Sequence, residues 1–290
     1  VYATKALCSR PWRCDYFDHC MAAKPDDWAG LLYRIQSNRL AALHSQGIES
    51  IPDIPEDFQL PEKQAIALDC IASGEIWVSD DLKDAILCFG PPAYYMDFET
   101  TAPGIPIYVD TRPYETVPFQ FSVHYMNEDG ALSHTAYLAE GDRHPGREFA
   151  EELIKAMDRT DIPVVVYNQS FELSVLDALR QMFPDLADGI GAIMENVVDL
   201  LPLVRDHVCH PGFITKRSLN AGTYSIKNVL PALVPSMSYA NLEGVAEGGE
   251  ASRVFAAIAH GAYTGREADD SRQQLLAYCE QDTLAMVEIQ

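Results

Sequence analysis

In the last two thirds of the chain, hydrophobic residues follow two spacings, that of a β-strand and that of an α-helix. An apolar run over 93–98 indicates a buried strand, and Phe119, Phe121, Val123 and Tyr125 alternate with polar residues, which is typical of a half-buried strand. Further strands are predicted at 134–139 and, from a short β-branched run, at 163–167. Apolar residues at helical spacing predict helices over 147–159, 171–182, 194–208, 225–233, 251–262 and 269–290. This order predicts an α/β fold with a sheet flanked by helices.

The first 92 residues have a different, helical pattern. Helices are predicted over 28–47, 62–73 and 81–88, and Gly90-Pro91-Pro92 then interrupts the chain. We place a domain boundary there. The prediction is therefore a Cys-rich segment at 1–20, a helical linker region at 21–92 and an α/β domain at 93–290.

Composition narrows the class of protein. The 290 residues are 48% hydrophobic, and no apolar run approaches the ~20 residues of a membrane span. No secretory pattern precedes the seven cysteines, so we expect a cytoplasmic protein without a disulfide framework. The chain lacks an initiator Met and stops within a helical pattern, so we interpret it as part of a longer protein.

A net charge of -22 disfavours a generic nucleic-acid coat, but it is compatible with a nuclease that neutralises phosphate through metal ions.

Acidic residues occur on three of the predicted elements. Asp97 and Glu99 end the first strand and share one face because strand side chains alternate. Glu172 follows Asn168 by four residues, in the first turn of a helix, and Tyr278 and Asp282 share one face of the final helix. Each has a structural alternative: a solvated pair, a carboxylate favoured by the helix dipole, and a buried hydrogen-bonded pair. Asp199 is interpreted as a helix cap.

Taken together, these residues resemble the ordered motifs of the DEDD superfamily of 3′-to-5′ exonucleases. Tyr278 places the resemblance in the DEDDy branch, with ribonuclease D and polymerase proofreading domains. One position departs from the pattern, because the family has Asp where this chain has Glu172.

This resemblance implies a ribonuclease H-like mixed sheet and two Mg²⁺ or Mn²⁺ ions held by Asp97, Glu99, Glu172 and Asp282. Tyr278 would orient the attacking water. The implied substrate is nucleic acid with single-stranded 3′ ends, DNA being favoured over RNA. Candidate substrate contacts are Gln120, Asn168 and Lys227, although Lys227 is equally an ordinary surface lysine and Asn168 equally a residue that holds the strand-to-helix turn.

A narrower resemblance extends to the N-terminus. Segments such as Tyr95–Thr100, Pro118–His124, Tyr224–Pro231 and Tyr278–Thr283 look like an uncharacterised bacterial family in which this domain follows a RecB-like PD-(D/E)XK nuclease. Cys8, Cys14 and Cys20 resemble the last three cysteines of the iron–sulfur type of that nuclease. They would bind a 4Fe–4S cluster in the full-length protein, with the upstream nuclease domain as a partner in the same chain. Zinc with His19 as a fourth ligand, or free thiols, are the alternatives.

Three other classes of function compete with the nuclease. A catalytically impaired nucleic-acid-binding or interaction module of a larger nuclease would keep the fold, and Glu172 is its best support. A pure interaction domain is another, and the net charge of -22 suits it. The chain has no phosphate-binding Gly-x-x-x-x-Gly-Lys loop, no Gly-x-Ser-x-Gly elbow and no His-Glu-x-x-His motif, which disfavours the enzyme classes that use them.

Overall fold

A computed structural model describes residues 8, 14–216, 218–237, 239, 244–245 and 248–290. The chain divides into two compact units, and each is built from two separate stretches. The first comprises Val1–Leu82 with Leu203–Ser236, and the second comprises Lys83–Pro202 with Met237–Gln290. The helices are α1 Phe17–Ala22, α2 Ser37–Ser45, α3 Glu62–Ser73, α4 Leu82–Ala85, α5 Gly146–Ala156, α6 Ser170–Met182, α7 Ala187–Glu195, α8 Leu200–His207, α9 Ser218–Ala221, α10 Ile226–Leu233, α11 Gly248–Ala259 and α12 Arg266–Ile289. The strands are β1 Trp77–Val78, β2 Ala93–Thr101, β3 Val117–Met126, β4 Leu132–Leu138, β5 Val164–Val166, β6 Val197–Asp199 and β7 Val208–Cys209.

The first unit is mainly helical. Its two short strands, β1 and β7, pair antiparallel. The predicted helix at 62–73 is confirmed, and Gly74 ends it in the left-handed conformation with φ of 74°. The single helix predicted over 28–47 is wrong. Ala29–Leu31 form one 3₁₀ turn and α2 starts only at Ser37, because Leu32 is extended and Arg34 has a positive φ of 53°.

A five-stranded mixed sheet forms the centre of the second unit. The strand order is β4-β3-β2-β5-β6, with β2, β3 and β4 antiparallel and β5 and β6 parallel to β2. The predicted α/β class and its first four strands are confirmed. The helix predicted over 194–208 is wrong, because α7 ends at Glu195 and Val197–Asp199 pair with β5 before α8 starts.

The two faces of this sheet bury different side chains. Tyr94, Met96 and Phe98 point into an apolar core that includes Phe149 of α5 and Leu176 of α6. The alternate residues of β2 lie on the opposite face, where α11 and α12 pack. Among the described residues, no helix is both long enough and apolar enough to cross a bilayer.

Candidate metal centre

Asp97, Glu99 and Asp282 meet at the sheet face that α12 covers. One carboxylate oxygen of each residue lies within 4.8 Å of an oxygen of the other two. Asp97 and Glu99 share that face because they are two apart in β2, and they lie opposite Ser122 and Gln120 of β3. Glu99 and Asp282 are buried, with 7% and 8% exposure. The structure thus brings together three of the four predicted carboxylates.

Glu172 lies in the first turn of α6 and completes the acidic surroundings of Asp97. It is 3% exposed, and its Oε2 has no hydrogen-bond partner among the described residues. Burial raises its pKa to about 7, and the Asp199 carboxylate adds to the increase. The Glu172 carboxylate also raises the pKa of Asp97. It is nevertheless not one of the three carboxylates whose oxygens lie within 4.8 Å of one another.

The electrostatics of the cluster favour a cation. Burial raises the pKa of Asp97 well above its usual range, and the carboxylates of Asp282, Glu99 and Glu172 raise it further. In the part of the chain that the structure describes, neither Asp97 nor Glu172 has an ion pair with Lys or Arg. Closely spaced carboxylates with an unsatisfied buried oxygen fit hard divalent cations such as Mg²⁺ or Mn²⁺, which take oxygen ligands.

Two tyrosines flank Asp282. Tyr278 is one helical turn earlier in α12, and burial raises its pKa, with further contributions from Asp282, Glu99 and Asp97. The Tyr239 hydroxyl donates a hydrogen bond of 2.6 Å to Asp282 Oδ1, and the two aromatic rings lie 6.4 Å apart. Tyr239 was not identified from the sequence, since it lies between α10 and α11 without any periodic pattern.

The turn that carries Glu172 is held by Asp199. The Asp199 carboxylate accepts hydrogen bonds from the backbone N–H groups of Asn168, Gln169 and Leu201, at 2.8, 3.1 and 3.0 Å. The bond from Leu201 confirms Asp199 as the cap of α8. Asn168 has a positive φ of 76° and lies in the turn between β5 and α6. Asp199 therefore fixes the segment from which Glu172 projects.

Two other predicted site residues are not part of this carboxylate group. Gln120 is fully buried below α12, where its side-chain amide donates to the Leu275 carbonyl at 2.7 Å. That contact joins β3 to α12, and a substrate contact by Gln120 stays a prediction. Lys227 is in α10 of the first unit, whereas the carboxylates are in the second.

The three N-terminal cysteines belong to the first unit. Cys8 and Cys14 are half-buried and Cys20 is exposed. Among the described residues, they do not form a group with ligand atoms within 4.8 Å, the spacing of a mononuclear site. Iron–sulfur binding by Cys8, Cys14 and Cys20 stays a prediction.

Comparison with known protein families finds a match to part of the chain. Residues 94–218 match a family described as a domain of unknown function, DUF2779. The matched segment contains Asp97, Glu99 and Glu172, while Tyr278 and Asp282 lie outside it. No curated protein and no solved structure matches the chain.

Proposed function

We propose that the second unit is a metal-dependent 3′-to-5′ exonuclease acting on single-stranded nucleic acid, with DNA favoured. The convergence of Asp97, Glu99 and Asp282 is the observation that carries the proposal. These residues come from a strand and a distant helix, and a cation between them would relieve the mutual repulsion that, with burial, raises the pKa of Asp97. Tyr278 beside the same carboxylates matches the DEDDy pattern, which supports phosphodiester hydrolysis over simple ion storage.

Asp97, Glu99, Glu172 and Asp282 would hold the divalent ions. Two such ions, when bound, would supply a water of lowered pKa and would stabilise charge on the departing 3′ oxygen. The protein orients the ligands: Tyr239 holds Asp282 through its 2.6 Å hydrogen bond, and Asp199 fixes the turn before Glu172. Preorganised ligands lower the cost of reaching the reactive geometry.

Tyr278 is assigned the role of positioning the attacking water. Because burial and three nearby carboxylates raise its pKa, its hydroxyl keeps its proton and remains a hydrogen-bond donor and acceptor at neutral pH. It therefore orients the water without taking its proton. The products would be nucleoside monophosphates released from the 3′ end.

The test is digestion of 5′-labelled single strands of DNA and RNA with Mg²⁺ or Mn²⁺. Asp97→Ala and Asp282→Ala should each lower the rate by at least about 10²–10³-fold, the loss seen when a group that stabilises the transition state is removed. Asp129→Ala, in the exposed turn between β3 and β4, is the matched control and should retain full activity. If neither nucleic acid is shortened with either metal, the proposal fails.

A catalytically impaired binding module is the second candidate. The position of Glu172 favours it, since the residue is one methylene longer than the Asp of the resembled family and lies outside the close carboxylate group. Such a module would bind single strands without shortening them. Glu172→Asp separates the two candidates: a gain of degradation from an inactive wild type would identify the longer side chain as the defect.

A further inference from the structure

A second group of metal-ligating side chains lies on the same unit, formed by His124, His134 and Glu280. One ring nitrogen of each histidine and one Glu280 oxygen lie within 4.8 Å of one another. His124 is in β3, His134 is in β4 and Glu280 is in α12. None of them belongs to the proposed exonuclease centre, and no comparison assigns them a role.

Strand register creates the histidine pair. His124 and His134 are direct partners across β3 and β4, so their side chains leave the same face of the sheet. The rings stack with centroids 4.5 Å apart, and His134 Nδ1 lies 3.6 Å from Glu280 Oε1. His124 is buried, whereas the side chains of His134 and Glu280 are 25% and 49% exposed. An ion can thus reach the group from solvent.

A serine and a threonine hydroxyl each contact one nitrogen of a histidine ring. His124 Nδ1 is 2.8 Å from Thr283 Oγ1, and His134 Nε2 is 2.9 Å from Ser122 Oγ. The two hydroxyl oxygens are 2.7 Å apart, and Thr283 Oγ1 also lies 3.1 Å from the Glu280 carbonyl. The hydroxyls therefore connect the two rings to each other and to α12.

One assignment of hydrogens satisfies every one of these contacts. Both rings donate N–H to a hydroxyl, Ser122 donates to Thr283, and Thr283 donates to the Glu280 carbonyl. The remaining nitrogens, His124 Nε2 and His134 Nδ1, then keep their lone pairs. Metal-binding histidines usually donate their other N–H to a protein acceptor in this way, which fixes tautomer and ring orientation.

We propose that His124, His134 and Glu280 bind one divalent transition-metal ion of the zinc class, with at least one coordination position open to solvent. Two imidazoles and a carboxylate are ligands that suit Zn²⁺ and related borderline ions, and three protein ligands leave a fourth position for water. The all-oxygen centre at Asp97 prefers harder ions. The inference does not rest on the proposed exonuclease activity.

Occupancy of this site would join three elements of the second unit. The ion would connect β3 and β4 to α12, the helix that also carries Asp282. A ligand that binds only the folded state stabilises it. Zn²⁺ should therefore raise the melting temperature of the unit and hold α12 against the sheet.

Isothermal titration with Zn²⁺, in excess Mg²⁺ to occupy the carboxylate centre, tests the site. With Cys8, Cys14 and Cys20 replaced by Ser in every sample, so that these thiols bind no Zn²⁺, we expect one ion per chain without further substitution and at least about tenfold weaker binding in His134→Asn and Glu280→Gln. His260→Asn and Glu267→Gln, at exposed positions of the same unit, are matched controls and should bind as the wild type does. Asp97→Asn should also retain Zn²⁺ binding, which would separate this site from the exonuclease centre.

Nuclear magnetic resonance of the imidazole nitrogens supplies a direct readout. Zn²⁺ should shift His124 Nε2 and His134 Nδ1 while leaving His260 unchanged. Glu280→Gln alters only a half-exposed carboxylate on a helix surface, so it keeps the test valid if His134→Asn fails to fold. The proposal is overturned if the wild type binds no Zn²⁺, if the variants bind it as tightly as the wild type does, or if binding is lost in Asp97→Asn.

Discussion

Replacing Glu172 with Gln should stabilise the metal-free protein at high pH. The Glu172 carboxyl has a pKa of about 7 in the folded protein against 4.5 for an ordinary glutamate, mainly because it is buried. Each tenfold change in proton affinity corresponds to about 1.4 kcal/mol, so ionised Glu172 destabilises the fold by about 3 kcal/mol. A neutral amide removes this cost, and its N–H groups would face the carboxylates that act on Glu172 and Asp97.

The sign of the pH dependence follows from the raised pKa. The neutral carboxyl is tolerated, so the wild type loses stability as the pH rises from 4.5 through about 7, and Glu172→Gln does not lose this contribution. The variant should match the wild type near pH 4.5 and exceed it by about 3 kcal/mol well above pH 7. For a domain of 150–250 residues this corresponds to a melting temperature higher by about 6–12 °C.

Thermal unfolding in a chelator, followed by circular dichroism across this pH range, measures the difference. Glu195→Gln in α7 is the matched control, since Glu195 is exposed and the change should have no effect on the pH profile. Added Mg²⁺ should stabilise the wild type more than the variant. The ion offsets the charge of the ionised Glu172 carboxylate, and the variant lacks this carboxylate. Parallel pH profiles for wild type and Glu172→Gln would refute the reasoning.

Three other outcomes are expected. Mg²⁺ affinity, measured by titration calorimetry, should increase as pH is raised through 7, because below that pH binding must displace a proton from Glu172. Tyr239→Phe removes the 2.6 Å hydrogen bond to Asp282 and should lower stability by about 1.5–3 kcal/mol in urea unfolding, together with the rate of nucleic-acid degradation. Phe149→Ala should lower the free energy of unfolding by about 3–5 kcal/mol in the same assay, because Phe149 is fully buried, with its ring centroid 5.1 Å from that of Phe98. Metal affinity should not change.

Local geometry explains which parts of the site were predictable from sequence. The two-residue period of a strand is sufficient to place Asp97 and Glu99 on one face, and the register of β2 against β3 confirms it. The four-residue spacing of Tyr278 and Asp282 is equally local, because α12 is continuous from Arg266 to Ile289.

Features that depend on long-range pairing were missed. Val197–Asp199 make a strand only because they pair with β5, and the surrounding apolar residues fit a helical spacing equally well. The His124–His134 pair needs the register of β3 and β4, which a single sequence does not reveal. Tyr239 reaches Asp282 from a segment with no periodic pattern.

The interleaved course of the polypeptide limits how the protein can be dissected. Residues 203–236 belong with residues 1–82, although they separate the two stretches of the α/β unit. Within the first unit, the 3₁₀ turn Pro211–Phe213 contacts α3 and its Phe213 is buried, so deleting the N-terminal stretch would leave Phe213 without that cover. A fragment without the N-terminal stretch would thus expose an apolar segment and be prone to aggregation. Point substitutions in the intact chain avoid this defect.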